Sequence, residues 1–331
     1  MAKCLITKLN GSVDNNELLR MGEMRIKVES VGSPTKDTQG LGVAFIEPTT
    51  VEIVGDGYFT DNTLTENKGK SMVVSSSQGV IVNQATTVAI RNKYKLTGLN
   101  VFIPSGNPYG KNKVLNIDDL KYSTSLNSLN LVSTQASGDI ANLKNLTALT
   151  TLSLGNTQVV GDIANLKNLT SLKTLRLSLT QVNGDIANLK NLTALKLLSL
   201  SNTQVPLTGD IGQLNALSNC TEMSLQYNKL TGDLATIPSN CRFVSFLNDK
   251  GSVFTWSTRP STAKIIAIEG AASLTNIDKM LQDQAQCQVG FSSNDSAWYK
   301  IISVAGNRTS ASDDAVEALL QKGYTISIVK A

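Results

Sequence analysis

Residues 140–147 read Ile-Ala-Asn-Leu-Lys-Asn-Leu-Thr, and the same eight residues return at 163–170 and at 186–193. The preceding tripeptide, Gly-Asp-Ile or once Gly-Asp-Leu, starts at Gly138, Gly161, Gly184, Gly209 and Gly232, in steps of 23, 23, 25 and 23 residues. A fixed period of this length predicts a solenoid of stacked repeats. The longer step contains two extra residues near Pro206, which we expect to bulge from a loop.

Each repeat has one pattern of apolar positions, and one copy comprises Leu146, Leu149, Leu152, Leu154, Thr157, Val159, Gly161 and Ile163. The Leu-x-Leu element predicts a short strand, and such strands stack in parallel about 4.8 Å apart. Each leucine buried between rungs contributes roughly 2 kcal/mol. We expect the Thr157 hydroxyl to bind unpaired backbone groups. We also expect Asp162 to cap a short helical turn over Ala164–Leu169.

Residues 113–247 resemble the leucine-rich repeat family in its L-x-G-x-I variant. Thr157, Thr180 and Thr203 replace the asparagine usual in that family, and Asn228 retains it. The resemblance implies a solenoid whose concave strand surface binds partners.

The flanking regions lack the repeat, and together with it they predict a mixed α/β and β fold. Residues 1–103 predict an all-β N-terminal region with strands at 24–28, 42–46, 51–54, 72–74, 80–82 and 87–90. Leu96, Leu99 and Val101 already have the repeat spacing, so this region is expected to end in a strand that caps the solenoid. Residues 104–112 predict a loop. Residues 248–331 predict a β-α-β-α-β cap with helices over 274–286 and 313–322.

The composition excludes several classes of function. The chain contains no histidine, which removes the usual general base and the usual zinc ligand. We find no phosphate loop, dinucleotide motif or nucleophile elbow, so we predict no catalytic residue, no cofactor and no metal. A net charge of +4 without a basic run predicts no nucleic-acid partner. No apolar run approaches 18 residues, and Met1–Lys8 lacks a secretion signal, so we predict no membrane insertion.

Two repeated features have both a structural and a functional interpretation. The column Asp139, Asp162, Asp185, Asp210 and Asp233 is interpreted as helix caps, with a calcium or acid/base site as the alternative. Cys220 and Cys241 occupy equivalent repeat positions and should point inward on adjacent turns. Buried free thiols are favoured over a disulfide, which remains geometrically possible.

The outward strand positions form the candidate binding face. It comprises Asn130, Ser153, Arg176, Ser199 and Ser224, flanked by Thr151, Thr174 and Gln226. This surface is small, rich in hydroxyls and nearly uncharged, which suits a sugar or a flat protein patch. It has no aromatic platform among these positions, so a surface that is merely soluble is the alternative.

The opening residues Met1–Asn15 and the segment Met24–Val28 resemble the start of virion proteins in crAss-like phages of Bacteroidetes, and Trp256–Pro260 adds to that likeness. This resemblance implies a homotrimeric head or tail fibre located in the virion and assembled in the host bacterial cytoplasm. Residues 1–112 would dock on capsid or other virion proteins, and the distal part would contact host glycan or protein. The leading hypothesis is a non-enzymatic, capsid-anchored head fibre. A bacterial leucine-rich repeat adhesin or effector is the alternative, and a glycan-cleaving tail-fibre enzyme is a third.

Overall fold

The computed structural model describes the strands between Met24 and Phe102 and residues 116–246, 252–271, 274–292, 295 and 297–329. The predicted loop at 104–112 and the opening residues 1–15 lie outside the described residues. In the described part of the chain, no helix has the length and apolar character needed to cross a bilayer.

The described N-terminal residues form strands. These are β1 (Met24–Val28), β2 (Gly40–Phe45), β3 (Thr49–Val54), β4 (Tyr58–Thr60), β5 (Glu66–Asn67), β6 (Ser71–Val74), β7 (Val80–Asn83), β8 (Thr86–Ile90) and β9 (Leu96–Phe102). All six strands predicted from the sequence overlap a strand of the structure. Two sheets result, one ordered β1-β8-β3-β6 and one that contains β9-β2-β7-β4-β5, and their pairings within this region are antiparallel.

The repeat region and the segment directly after it contribute twelve further described strands. These are β10 (Ser128–Asn130), β11 (Ser137–Asp139), β12 (Thr151–Ser153), β13 (Gln158–Asp162), β14 (Thr174–Arg176), β15 (Gln181–Asn183), β16 (Leu197–Ser199), β17 (Thr208–Asp210), β18 (Glu222–Ser224), β19 (Lys229–Asp233), β20 (Phe243–Ser245) and β21 (Val253–Thr255). The even-numbered strands from β10 to β20 pair in parallel, and their central residues are in register. These stacked parallel strands, which we call rungs, match the leucine-rich repeat solenoid that the sequence repeat predicts.

The opposite side of each coil carries a second set of short elements. The odd-numbered strands form two parallel sheets, β11-β13-β15 and β17-β19-β21. The two extra residues before Pro206 separate these sheets, and an isolated bridge between Asp185 and Thr208 joins them. The predicted bulge is therefore confirmed, with Gln204 and Val205 exposed.

Each described coil turns through a short 3-10 helix, which follows a Gly-Asp dipeptide except in the first coil, where the Asn116 side chain caps the helix. These helices span Ile117–Leu120, Ile140–Leu143, Ile163–Leu166, Ile186–Leu189, Ile211–Ala216 and Leu234–Thr236. The turn predicted over Ala164–Leu169 is thus shorter and begins one residue earlier. It ends at Leu166 because the following residues close a separate turn, in which the Leu169 N–H donates to the Leu166 carbonyl.

The rung sheet continues beyond the repeats at both ends. At the N-terminal end β9 pairs in parallel with β10, and Leu99 lies opposite Leu129. At the other end the chain forms β22 (Ala267–Ala271), α1 (Ile277–Gln286), β23 (Ile301–Ala305), α2 (Asp313–Gln321) and β24 (Thr325–Val329). These three strands add to β20 in parallel, so one sheet of fourteen described strands extends from β5 to β24. The predicted boundaries at 103, 112 and 247 remain predictions.

In the described part of the chain, an apolar core lies between the rung sheet and the 3-10 helices. The inward leucines of every rung are fully buried, Leu152 and Leu175 among them. Phe246 and Phe254, whose ring centroids lie 4.5 Å apart, belong to the same core beyond the last leucines of the repeats. The core continues through Ile268 and Ile302, so the C-terminal region protects the end of the leucine stack from water.

One turn position in each repeat has a left-handed backbone. Positive φ occurs there at Ser133, Asn156, Leu179, Asn202 and Tyr227. Asparagine tolerates this conformation, whereas a branched apolar side chain clashes with its own backbone. Leu179 has φ of 59° and is also 51% exposed, so no burial compensates for its strain.

We therefore expect Leu179→Asn to raise the free energy of unfolding by about 1 kcal/mol. Asn156→Leu, at the equivalent position one rung earlier, should lower the free energy of unfolding by a similar amount. Urea denaturation of both variants shows whether the free energy of unfolding rises for Leu179→Asn and falls for Asn156→Leu. A destabilised Leu179→Asn protein would contradict the argument.

Candidate binding face

The outward side chains of the rung sheet define the strand face. Its first column consists of residues in direct register, namely Asn130, Ser153, Arg176, Ser199, Ser224, Ser245, Glu269 and Ser303. Its second column consists of Ser128, Thr151, Thr174, Leu197, Glu222, Phe243 and Ala267. The structure thus places seven of the eight predicted residues in two adjacent columns, whereas Gln226 lies two residues beyond the end of β18. Whether these residues bind a partner remains a prediction.

The predicted exposure is wrong for one residue of this set. Ser153 is only 2% exposed, although it points to the same side of the sheet as its neighbours. It lies in register between Asn130 and Arg176, whose longer side chains flank the small serine on both sides. Arg176 is exposed, and Asn130 is half-buried.

Hydroxyl groups on the strand face bind one another across rungs. The Oγ atoms of Ser178 and Ser199 lie 2.7 Å apart, and those of Ser201 and Ser224 lie 2.6 Å apart. The Ser201 N–H also donates to Ser178 Oγ over 2.9 Å. These contacts fix the hydroxyls in a network that runs across the rungs and offers both donors and acceptors to a ligand.

The aspartate column forms helix caps, as the structural interpretation predicts. In each repeat an aspartate Oδ1 accepts a hydrogen bond from the backbone N–H two residues later, for example from Ala164 to Asp162 over 2.7 Å. Each carboxylate therefore satisfies one of the otherwise unpaired donors at a helix N-terminus.

The threonine and cysteine predictions are also confirmed. Thr157 and Thr180 donate to the carbonyls of Leu154 and Leu177 over 2.6 Å. Cys220 and Cys241 are both fully buried and free. Burial raises the pKa of the Cys241 thiol to about 12, and burial raises the pKa of Cys220 as well, so both thiols stay protonated and unreactive.

The C-terminal end of the strand face carries charged and aromatic side chains, which we call the end cluster: Glu222, Arg242, Phe243, Asp295 and Tyr299. The Arg242 guanidinium lies 2.9 Å from Asp295, 3.8 Å from Glu222 and 4.7 Å from the centre of the Tyr299 ring. The Tyr299 ring meets Phe243 edge-on, with centroids 5.9 Å apart. Burial and the Glu222 carboxylate raise the pKa of Tyr299 to about 12, so its hydroxyl stays a donor.

The end cluster supplies the aromatic side chains that the sequence interpretation did not find. Phe243 was detectable, because Cys241 is equivalent to Cys220 and Phe243 therefore occupies the same column as Glu222. Tyr299 carries no such signal, since it belongs to the 3-10 helix Ala297–Lys300 outside the repeats. This helix packs near β22, and Ala267 on that strand is fully buried. The second column of the strand face is thus covered directly beyond the end cluster.

No family model matches the sequence, and no curated protein matches it. Among solved structures, the chain is similar to the leucine-rich repeat ectodomain of the receptor kinase SOBIR1 from Arabidopsis thaliana, with 25% identity, a TM-score of 0.35 and coverage of 39% of this chain and 73% of that one. It is also similar to an internalin (inlF) from Listeria monocytogenes, with 20% identity, a TM-score of 0.43 and coverage of 73% and 70%.

A second internalin from Listeria monocytogenes, inlC2, has 32% identity, a TM-score of 0.31 and coverage of 35% of this chain and 48% of that one. All three TM-scores lie below 0.5. The leucine-rich repeat architecture rests on the sequence period and on the stacked parallel rungs.

Proposed function

We propose that this leucine-rich repeat protein is a non-catalytic display and binding component of a phage virion, anchored to the capsid as a head fibre. The single observation that supports a display role is the sheet of fourteen described strands, which extends from β5 through the repeats to β24. Ladder hydrogen bonds connect neighbouring rungs along this sheet, which makes it a stiff support for the strand face.

The chemistry of the strand face suits binding better than catalysis. Its hydroxyls are preorganised by contacts between rungs, and its aspartates are occupied as caps on the other side of the coil. A preorganised polar surface loses little conformational entropy when it binds a ligand. Adhesion to a host glycan or a host surface protein is the proposed use of this surface.

The virion assignment predicts where the protein is found. We expect peptides of this chain in density-purified phage particles at a fixed ratio to the capsid protein, and a solution mass of three chains for the purified protein. The sequence likeness of residues 1–15 and 24–28 motivates both expectations. A chain found at a bacterial surface, and absent from particles, would favour the adhesin or effector alternative.

The binding role predicts a loss of adhesion when charge is placed on the strand face. The double variant Arg176→Glu, Ser199→Glu should reduce binding of the labelled protein to host cells at least about tenfold, because it places two carboxylates on a nearly neutral surface. Lys167→Glu is the matched control, since Lys167 is exposed at the end of a 3-10 helix away from the strand face. Equal binding of the double variant and the wild type would refute a role for this surface.

A further inference from the structure

We propose that the C-terminal end of the strand face contains a saccharide-binding subsite centred on the buried carboxylate of Glu269. The inference rests on the proposed binding function and deepens it, because it names the ligand class and the place where the ligand binds. The subsite comprises Gln226, Ser245, Glu269 and the neighbouring rings of Phe243 and Tyr299.

Glu269 has an incompletely satisfied carboxylate. Its side chain is 8% exposed, and its Oε2 accepts a hydrogen bond of 2.8 Å from Ser245 Oγ. Among the described residues, no cationic side chain contacts this carboxylate, and no donor binds its Oε1. A buried carboxylate oxygen without a donor is unfavourable, so a ligand that donates a hydrogen bond there would be stabilised.

Two hydrogen bonds in series, each donated toward Glu269, lead to its carboxylate. Gln226 Nε2 donates to Ser245 Oγ over 2.6 Å, and the Ser245 hydroxyl then donates to Glu269. The chain of donors therefore ends at the carboxylate and orients it. The hydroxyls of Ser224 and Ser201 continue the polar surface next to it. Adjacent acceptors and hydroxyls match the adjacent hydroxyl groups of a sugar ring.

The backbone of β22 changes direction directly after Glu269. The register with β23 shifts between Glu269 and Ala271, and Gly270 between them has φ of 74°. A bulge with glycine in the left-handed region often re-aims a side chain at a functional site. Here it follows a glutamate that lies in register with Ser245 on one side and with Ser303 on the other.

The end cluster adds an apolar surface to these polar groups. Phe243 lies two residues from Ser245 on the same side of β20, and both it and Tyr299 are half-buried. A few converging polar groups beside aromatic rings are typical of small-molecule sites. A neutral saccharide is favoured over a basic side chain, because Arg242 already occupies the cationic position against Tyr299. A neutral ligand also brings no second charge to be desolvated.

The test is saturation-transfer NMR with the full chain and a panel of methyl glycosides of glucose, galactose, mannose, N-acetylglucosamine and fucose. We expect the wild type to bind at least one of them, and Glu269→Gln to bind it about tenfold more weakly, because the charge-assisted hydrogen bond is lost. Ser245→Ala should also weaken binding, since it removes the residue that orients the carboxylate. Glu317→Gln is the matched control, because Glu317 is exposed on α2.

Three results would overturn the subsite. They are no binding of any glycoside by the wild type, equal binding by a folded Glu269→Gln protein, or binding of N-acetyl-lysine methylamide in place of the glycosides. The melting temperature of each variant shows whether it is folded. Host-cell binding that depends on Arg176 and Ser199, without glycoside binding, would refute the subsite alone. Glycoside binding by a chain absent from virions would refute the head fibre alone.

Discussion

Replacing Arg259 by methionine is expected to lower the free energy of unfolding by about 3 to 5 kcal/mol. The Arg259 side chain is 3% exposed, yet its guanidinium donates hydrogen bonds to four backbone carbonyls. Three of these carbonyls belong to the end of the last repeat, at Ala235, Ile237 and Pro238, and the fourth belongs to Lys264. One side chain thus joins the last repeat to the strands that follow it.

Loss of the guanidinium leaves those carbonyls buried without donors. Each carbonyl left without a donor lowers the free energy of unfolding by about 1 to 3 kcal/mol. The substitution also removes a buried charge, and this gain offsets part of the loss. Burial lowers the pKa of Arg259, because desolvation disfavours the charged guanidinium, but the dipoles of the four carbonyls favour the charged form. We expect the unsatisfied carbonyls to have the larger effect, because methionine provides no donor to any of them.

Urea denaturation measures this change, with Arg308→Met as the matched control. The Arg308 ion pair with Asp313 is at the surface, so its loss should change the free energy of unfolding by less than about 1 kcal/mol. Arg259→Lys should recover only part of the loss, since one ammonium group cannot reach all four carbonyls. Equal stabilities of the Arg259→Met protein and the wild type would show that this junction does not depend on the guanidinium.

The sequence predicted the repeat region well because each rung is specified locally. Thr157, Asp162 and Gly161 act within their own coil or on the next one, so a single period of 23 residues contains their contacts. The two-residue insertion before Pro206 was visible for the same reason. A residue that contacts only its own and the neighbouring rung can be interpreted from spacing alone.

The contacts of the C-terminal region could not be predicted in this way. Arg259 and Glu269 lie in segments without a period, and their partners are 5 to 24 residues away along the chain. Tyr299 reaches Phe243 from a 3-10 helix that no repeat position indicates. The burial of Ser153 likewise depends on side chains of two neighbouring rungs. These features depend on tertiary packing, which local patterns do not contain.

The largest effect within the repeats is expected for Gly161→Ala, at about 2 to 4 kcal/mol of destabilisation. Gly161 has φ of 117°, a backbone conformation that side-chain-bearing residues rarely adopt. An added Cβ would also lie 2.1 Å from Oδ1 of Asp139 in the preceding coil. That carboxylate would have to move away and would lose its cap on the Ala141 N–H, which is now 2.8 Å away. Backbone strain and cap loss therefore act together.

Gly212→Ala provides the control, because the same substitution there should have a much smaller effect. Gly212 occupies the repeat position that holds Ala164 two coils earlier, and its φ is not in the positive range. Alanine reduces the conformational entropy of the unfolded chain by about 0.5 to 1 kcal/mol, which offsets the approach of the new Cβ to Asp210 Oδ1 at 3.1 Å and to Thr236 Oγ1 at 3.3 Å. Chemical denaturation of both variants tests the pair. If Gly161→Ala were as stable as Gly212→Ala, the close approach between Asp139 and Gly161 would not govern how adjacent coils stack.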